Sequence, residues 1–290
     1  MGKLIRCITS DGAVMISAVD TTDIVEDARK IHDTTAVVTA ALGRLLTAGT
    51  IMGNMMKGDE NSLTLRVKAD GPTGSLVVVS DPGGNVKGYV ENPHVTIPPK
   101  ANGKLDVGGA VGKNGHLYVL KDVGLKEPYS GIVPLVTGEI AEDITSYYAT
   151  SEQIPTVCAL GVLVNGDRSV ACAGGFIMQL LPGADDSTID KIEENIGKLK
   201  PVTTMLAENK TIKDIVDAAL EGFEVEVLYT EDVAYKCDCS RERVMKALVT
   251  LGADELNKMA EEMPEIELNC HFCNKNYKFT PKEVKALAKK

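Results

Sequence analysis

Four of the seven cysteines in the chain lie in two short-spaced pairs near its C-terminal end. The pairs are Cys237-x-Cys239 and Cys270-x-x-Cys273, with residues 240–269 between them. Four thiolates on two tight turns complete the tetrahedral shell of Zn²⁺ once the intervening segment folds back. The one-residue spacer of the first pair departs from the common pattern of two two-residue spacers, but both of its sulfurs can still reach one ion. The spacing predicts one Zn²⁺ per chain on these four cysteines.

Composition and charge argue against several classes of partner. The chain has 290 residues, of which 44% are hydrophobic and 25% are charged, as in ordinary globular proteins. Its formal charge is -10, distributed as +2 from Val233 onward and -12 before it. Aromatic residues are only 4% and Trp is absent, so no base-stacking platform is predicted. We therefore expect no nucleic-acid partner.

The remaining cysteines and the longest apolar run bear on the compartment. The N-terminal residues lack an apolar stretch that would suit a signal peptide, so we expect a reducing, cytoplasmic location. There Cys7, Cys158 and Cys172, which lie in apolar runs, are predicted to be inert buried thiols. Residues 36–56 are long and apolar, but Arg44 lies in their middle, which predicts a buried helix and no membrane partner.

The first part of the chain alternates apolar and polar residues with a period of two. A hairpin is predicted from Leu4 to Val19 around Asp11-Gly12, and an antiparallel meander from Ser62 onward. A second hairpin is predicted over residues 157–181, with strands that are apolar on both faces. Helices inserted between runs of strands indicate an α+β fold, with an N-terminal antiparallel-sheet domain at residues 1–181.

Two further domains are expected after this one. In residues 182–231, two amphipathic helices present apolar stripes that they cannot bury alone, which predicts a helical linker resting on a neighbouring domain. Residues 232–290 form a zinc-binding domain in our prediction, and its last helix begins after Thr280. So short a segment has little core and needs a metal to stabilise it.

Other patterns that could carry chemistry are weak. Gly108–Asn114 superficially resembles a phosphate loop, but its spacing is wrong and Asn stands where Ser or Thr should bind magnesium. The acidic pairs Asp185-Asp186 and Glu193-Glu194 read as solvated helix faces. The four histidines do not cluster in sequence, and His271 is not needed to complete a four-thiolate shell. We expect no enzymatic activity.

Zinc-bound thiolates can be oxidised, and this suggests a switch. Oxidation of either pair would remove ligands, release the metal, unfold the small domain and withdraw support from the linker. Exposed apolar surface, which a holding chaperone requires, would result. Two alternatives stay open: a zinc-ribbon interaction module, for instance one that binds nucleic acid, and a thiol oxidoreductase that uses Cys270 and Cys273.

The chain also resembles a known family, the redox-regulated heat-shock chaperone of about 33 kDa, heat-shock protein 33. The resemblance lies in the Cys-x-Cys and Cys-x-x-Cys pairs and in five body segments. These segments are Gly88–Pro93, Lys121–Lys126, Gly138–Asp143, Ser151–Pro155 and Ala173–Phe176.

The resemblance implies a cytoplasmic, ATP-independent holdase that is inactive when reduced and zinc-bound. By similarity, oxidation forms the disulfides Cys237 to Cys239 and Cys270 to Cys273, releases zinc and destabilises the linker. The oxidised form is then expected to be a homodimer that binds unfolded client proteins.

Overall fold

The computed structural model describes residues 1–288 and confirms the predicted α+β fold, which is built on two five-stranded antiparallel sheets. The chain divides into two units, Met1–Lys236 and Cys237–Lys290. Both large sheets belong to the first unit. The second unit contains a two-stranded hairpin and three helices.

Strands and helices follow one another irregularly along the chain. The strands are β1 (Gly2–Thr9), β2 (Val14–Asp20), β3 (Ser62–Lys68), β4 (Leu76–Ser80), β5 (Val86–Val90), β6 (His116–Asp122), β7 (Tyr129–Pro134), β8 (Thr156–Val164), β9 (Val170–Leu180), β10 (Val225–Val233), β11 (Ile266–Asn269) and β12 (Asn276–Phe279). The helices are α1 (Thr22–His32), α2 (Ala36–Asn54), α3 (Val107–Val111), α4 (Ala141–Tyr147), α5 (Asp186–Lys198), α6 (Val202–Ala207), α7 (Ile212–Ala219), α8 (Arg241–Val249), α9 (Ala253–Glu262) and α10 (Pro281–Leu287). A π-helical turn, Tyr148–Glu152, continues α4.

The first sheet has the strand order β10-β1-β2-β9-β8. The predicted hairpin β1–β2 is confirmed, as is the hairpin β8–β9. Strand β8 is apolar on both faces, as predicted, but it lies at the edge of the sheet and most of its residues are part-exposed. Strand β10 was not predicted; it pairs with β1 along its whole length.

The second sheet has the order β5-β4-β3-β6-β7, so the predicted meander forms one half of it. Helix α2 lies between the two sheets and contacts β8 and β9 of the first and β3, β4 and β5 of the second. This helix is long and apolar enough to cross a membrane, but 89% of its apolar window is buried within the protein. It is a core helix, as the central Arg44 predicts, and Arg44 forms an ion pair with Glu139 at 2.6 Å.

Two glycines of α2 allow the helix to approach β4 closely. A Cβ atom at Gly49 would lie 2.6 Å from Cγ1 of Val78, and one at Gly53 would lie 2.8 Å from the backbone oxygen of Asp81. Spacing of four residues puts both glycines on one helix face. At Gly53 the helix therefore lies close to the backbone of Asp81.

Replacing Gly53 with alanine is expected to destabilise the protein by about 1–3 kcal/mol, because a methyl group there overlaps backbone that cannot move away. Urea unfolding followed by circular dichroism measures the change. The matched control is Gly197→Ala in α5, where an added Cβ meets nothing within 4 Å. That substitution is expected to stabilise by about 0.5–1 kcal/mol through helix propensity. Equal effects at both positions would contradict the packing argument.

Helices α5, α6 and α7 cover the side of the first sheet that faces away from α2. Their apolar residues, among them Ile192, Met205 and Val216, pack with Ile16 and Phe176 of the sheet in one buried cluster. The two predicted amphipathic helices are present as α5 and α7, and α6 between them was not predicted. All three lie in the first unit.

The second unit has a small core of eight buried apolar residues. They are Leu248, Leu256, Ala260, Ile266, Tyr277, Phe279, Val284 and Leu287. The predicted start of the last helix is confirmed, because Thr280 accepts the backbone N–H of Glu283 and the Glu283 carboxylate accepts the backbone N–H of Thr280. Strand β12 was not predicted. It pairs with β11 and carries Tyr277 and Phe279 into this core.

Candidate metal centre

The first cysteine pair lies in the segment between β10 and α8. Ser240, directly after Cys239, caps α8 by accepting the backbone N–H of Arg243 at 3.2 Å. Arg243 in turn forms an ion pair with Asp238, the residue between the two cysteines. The helix cap and the ion pair thus fix the backbone on which Cys237 and Cys239 are carried.

The second pair lies in the turn that joins β11 to β12. The backbone N–H of Asn274 donates to the oxygen of Cys270 at 2.8 Å, and the N–H of Cys270 donates to the oxygen of Lys275 at 3.0 Å. Asn274 has a φ of 55°, a left-handed conformation that asparagine tolerates better than most residues. This tight turn presents Cys270 and Cys273 on the same side of the hairpin end.

The structure brings the four predicted site residues together. Their Sγ atoms all lie within 4.8 Å of one another. Two of the closest approaches join one pair to the other, with 3.7 Å between the sulfurs of Cys237 and Cys270 and 3.4 Å between those of Cys239 and Cys273. A Zn–S bond of about 2.3 Å sets the sulfur–sulfur edge of a regular tetrahedron at about 3.8 Å. The sulfur cluster therefore fits a thiolate-bound metal ion.

A tyrosine that the sequence analysis missed completes the site. The Tyr277 hydroxyl donates to Sγ of Cys239 at 3.0 Å. Burial acts to raise the pKa of the Cys239 thiol, but this hydrogen bond and the neighbouring thiols outweigh it and lower the pKa to about 7. The alternation of Tyr277 and Phe279 after the second pair was a signal for β12, and hence for an aromatic side chain directed toward the sulfurs.

The pKa values of Cys237 and Cys273 shift in the opposite direction. Burial raises the pKa of the Cys237 thiol to about 12 and also raises that of Cys273. Four thiolates this close repel one another unless a cation neutralises them, and a bound metal ion deprotonates its thiol ligands outright. The donor set and its spacing together favour a soft or borderline divalent cation.

The three remaining cysteines belong to the first unit and are not part of the sulfur cluster. Cys7 and Cys172 are buried and Cys158 is part-buried. Burial raises the pKa of all three thiols, so their nucleophilic thiolate forms are suppressed. Within residues 1–288, the four paired cysteines form the one group of His, Cys, Asp or Glu side chains with metal-ligand spacing, and His271 is not part of it.

The glycine-rich segment that superficially resembles a phosphate loop already uses its backbone donors. Asp106 caps α3 by accepting the N–H of Gly109 at 3.0 Å. The Asp70 carboxylate accepts the N–H groups of Lys113 and Asn114, both at 3.1 Å. These carboxylates lie where a phosphate would have to bind, which agrees with the rejection of a nucleotide site.

Comparison with known proteins identifies the family. A family model described as "Hsp33 protein" matches residues 2–280, a span that includes all four paired cysteines. The chain belongs to the Hsp33 family. This confirms the resemblance inferred from the cysteine pairs and the five body segments.

Relatives within the Hsp33 family are similar over nearly their full length. The 33 kDa chaperonin of Lachnoclostridium phytofermentans is 50% identical over 284 residues, which cover 98% of this chain and 97% of that protein. The 33 kDa chaperonin of Clostridioides difficile is 49% identical over 286 residues, covering 99% and 98%. The crystal structure of the 33 kDa chaperonin (heat shock protein 33 homolog) from Thermotoga maritima superposes with a TM-score of 0.90 at 36% identity, covering 99% of this chain and 97% of that one.

Proposed function

We propose that the protein is a redox-regulated, ATP-independent holding chaperone, restrained by one Zn²⁺ on Cys237, Cys239, Cys270 and Cys273. The observation that carries this proposal is the convergence of four sulfurs in a unit with only eight buried apolar residues. Membership of the Hsp33 family, whose relatives are named chaperonins, supports it. Family membership and the need for thiols that stay reduced at rest support a cytoplasmic location as part of this proposal.

The trigger is oxidation of the paired thiols. We assign the disulfides Cys237 to Cys239 and Cys270 to Cys273. Each forms when two thiols give two electrons and two protons to one hydrogen peroxide, which becomes two waters. A disulfide sulfur is a poor metal ligand, so each bond removes two of the four donors. The second unit then has neither its ion nor a core large enough to stay folded.

Release of client-binding surface is the proposed consequence. Only three residues separate Val233, the last residue of β10, from Cys237. When the second unit unfolds, β10, the strand that follows α7, is therefore attached directly to an unfolded chain. Helices α6 and α7 have six and eight residues, too few to persist in water without the sheet beneath them. Their loss uncovers apolar residues of the first sheet, among them Ile16 and Phe176. Such a surface suits unfolded clients and a homodimer.

The proposal is tested by oxidising the zinc-loaded protein with hydrogen peroxide under mild heat while three quantities are followed. We expect the loss of four thiols per chain, the release of one zinc ion and a gain in suppression of the aggregation of an unfolding client. Cys158→Ala, outside the site, should behave like the wild type, whereas Cys273→Ser should lose the dependence on peroxide.

Zinc release without any gain in the suppression of client aggregation would contradict the proposed redox switch. Sustained turnover of a disulfide substrate by the metal-free form would instead support an oxidoreductase that uses Cys270 and Cys273. Salt-sensitive retention on nucleic acid, with no change in suppression on oxidation, would support a zinc-ribbon interaction module.

A further inference from the structure

One face of the second sheet is left open. Buried and more exposed residues alternate along β3, β4, β5 and most of β6, so Leu65, Val78 and Val119 are buried in the core that contains α2. Their neighbours on the other side are part-exposed or exposed along all five strands. Both sides of the central strands of the first sheet, in contrast, pack against helices. We call the outward side of β5-β4-β3-β6-β7 the open face.

A row of side chains crosses the open face at one level. The strand registers align Tyr89 of β5, Val77 of β4, Arg66 of β3, Tyr118 of β6 and Ile132 of β7. The Arg66 guanidinium lies over the Tyr118 ring, 6.0 Å from its centroid. Ile132 is 58% exposed, which is high for a large aliphatic side chain in a strand. Tyrosine and arginine are the residue types that most often dominate binding energy in protein interfaces.

The charge of the open face is opposite to that of the whole protein. Arg66, Lys68 and Lys87 point outward from the strands, against the carboxylates of Asp122 at the end of β6 and of Glu91 directly after β5. Within residues 1–288, neither Arg66 nor Lys68 forms an ion pair with a carboxylate. The chain as a whole carries a formal charge of -10. Cations therefore outnumber carboxylates on the open face, although the protein as a whole is acidic.

A cleft of about 440 Å³ lies beside this row. It is lined by Arg66, Ser75, Val77, Tyr89 and Glu91. The Glu91 carboxylate accepts the backbone N–H of Ser75 at 2.9 Å, so it is directed at its own loop and leaves Arg66 without an anion. The cleft thus offers an apolar wall, an aromatic ring and a guanidinium to an incoming side chain.

We propose that the open face docks unfolded client segments in which acidic side chains alternate with apolar ones. This inference rests on the proposed holding function and names the class of segment that it takes. Carboxylates would pair with Arg66 and Lys68, while apolar side chains of the client cover Val77, Tyr118 and Ile132. Exposed aliphatic side chains and only three outward cations suit a polypeptide better than the dense phosphates of a nucleic acid.

The test uses two dye-labelled peptides of identical length and apolar sequence, one with glutamate and the other with lysine at the alternating positions. Fluorescence anisotropy with the oxidised full-length protein at low salt measures both affinities. We expect the glutamate peptide to bind about tenfold more tightly than the lysine peptide, and high salt to reduce that preference.

Variants locate the binding. Arg66→Glu is expected to weaken the glutamate peptide about tenfold and to strengthen the lysine peptide, and Tyr118→Ala to weaken both. Lys104→Glu, which makes the same charge change in a loop outside the sheet, should leave both affinities within about twofold. Circular dichroism confirms that each variant is folded. The reversal of preference by Arg66→Glu cannot come from a mere loss of folding.

Unchanged peptide affinities in Arg66→Glu and Tyr118→Ala would overturn the docking surface. The other contrary result is that the oxidised protein binds a 20-nucleotide oligothymidine in a way that depends on Arg66 and Tyr118, and binds neither peptide. That result would replace the proposed client-docking surface with a nucleic-acid-binding surface. Suppression of client aggregation by the oxidised wild type is a separate readout. It decides the proposed function, whereas the peptide affinities decide the docking surface.

Discussion

Replacing Cys273 with serine is expected to unfold the second unit and to leave the two sheets of the first unit folded. Serine cannot supply the fourth thiolate, and structural zinc contributes on the order of 10–16 kcal/mol to small folded peptides at neutral pH. A core of eight apolar residues rarely supplies more than about 3–5 kcal/mol. Hydrogen exchange measured by mass spectrometry should show loss of protection in β11, β12 and α10, with the amides of β1 and β9 still protected.

His271→Ala is the matched control for this substitution. His271 lies in the same turn as Cys270 and Cys273 but outside the sulfur cluster, so its loss should preserve both zinc content and protection. A strong chelator added to the wild type should reproduce the effect of Cys273→Ser. Protection that survives both the substitution and the chelator would show that the second unit does not depend on a metal ion.

Replacing Asp143 with alanine is expected to destabilise the first unit by about 3–5 kcal/mol, because it leaves several buried or part-buried backbone donors without an acceptor. The Asp143 side chain is 1% exposed. Its Oδ1 accepts the N–H groups of Val136 at 2.7 Å and Thr137 at 3.1 Å, and its Oδ2 accepts that of Ile140 at 2.9 Å. One carboxylate therefore organises the whole turn before α4.

The backbone at Ile140 adds to this expectation. Its φ of 71° lies in the left-handed region, which a β-branched residue rarely adopts. Such a conformation persists only where the surrounding structure holds it, and here the Asp143 carboxylate holds the Ile140 N–H. Without that carboxylate the turn is free to relax, and the buried packing of Ile140 is lost with it.

Urea unfolding followed by far-ultraviolet circular dichroism measures the effect of Asp143→Ala, with the reduced, zinc-loaded protein as reference. The adjacent Glu142 is exposed, so Glu142→Ala should change the stability by no more than about 0.5 kcal/mol. A midpoint for Asp143→Ala that coincides with that of Glu142→Ala would show that the turn is organised by something other than this carboxylate.

Strands and helices with a clear period were predictable from the sequence, and short or unusual elements were not. The β1–β2 hairpin, the meander from β3 and the amphipathic helices α5 and α7 follow from local alternation. Strand β10 has exposed side chains along much of its length, so its sequence shows no strong alternation of buried apolar and exposed polar residues. The strand is fixed by pairing with β1, which lies more than 200 residues earlier in the chain. Helix α6 is six residues long, too short to show a period.

At the candidate site, the sequence determined the donor atoms and the tertiary structure decided their surroundings. Cysteine spacing alone predicted the four thiolates, because ligands two or three residues apart can share one ion wherever the turn lies. The alternation of Tyr277 and Phe279 indicated a strand, but the hydrogen bond from the Tyr277 hydroxyl to Cys239 depends on the pairing of β11 with β12 in the folded unit. The open face was equally hidden, since alternation shows that a strand has two sides but not which of them a helix will cover. Local spacing sets chemistry, whereas burial and charge environment arise only when distant segments pack together.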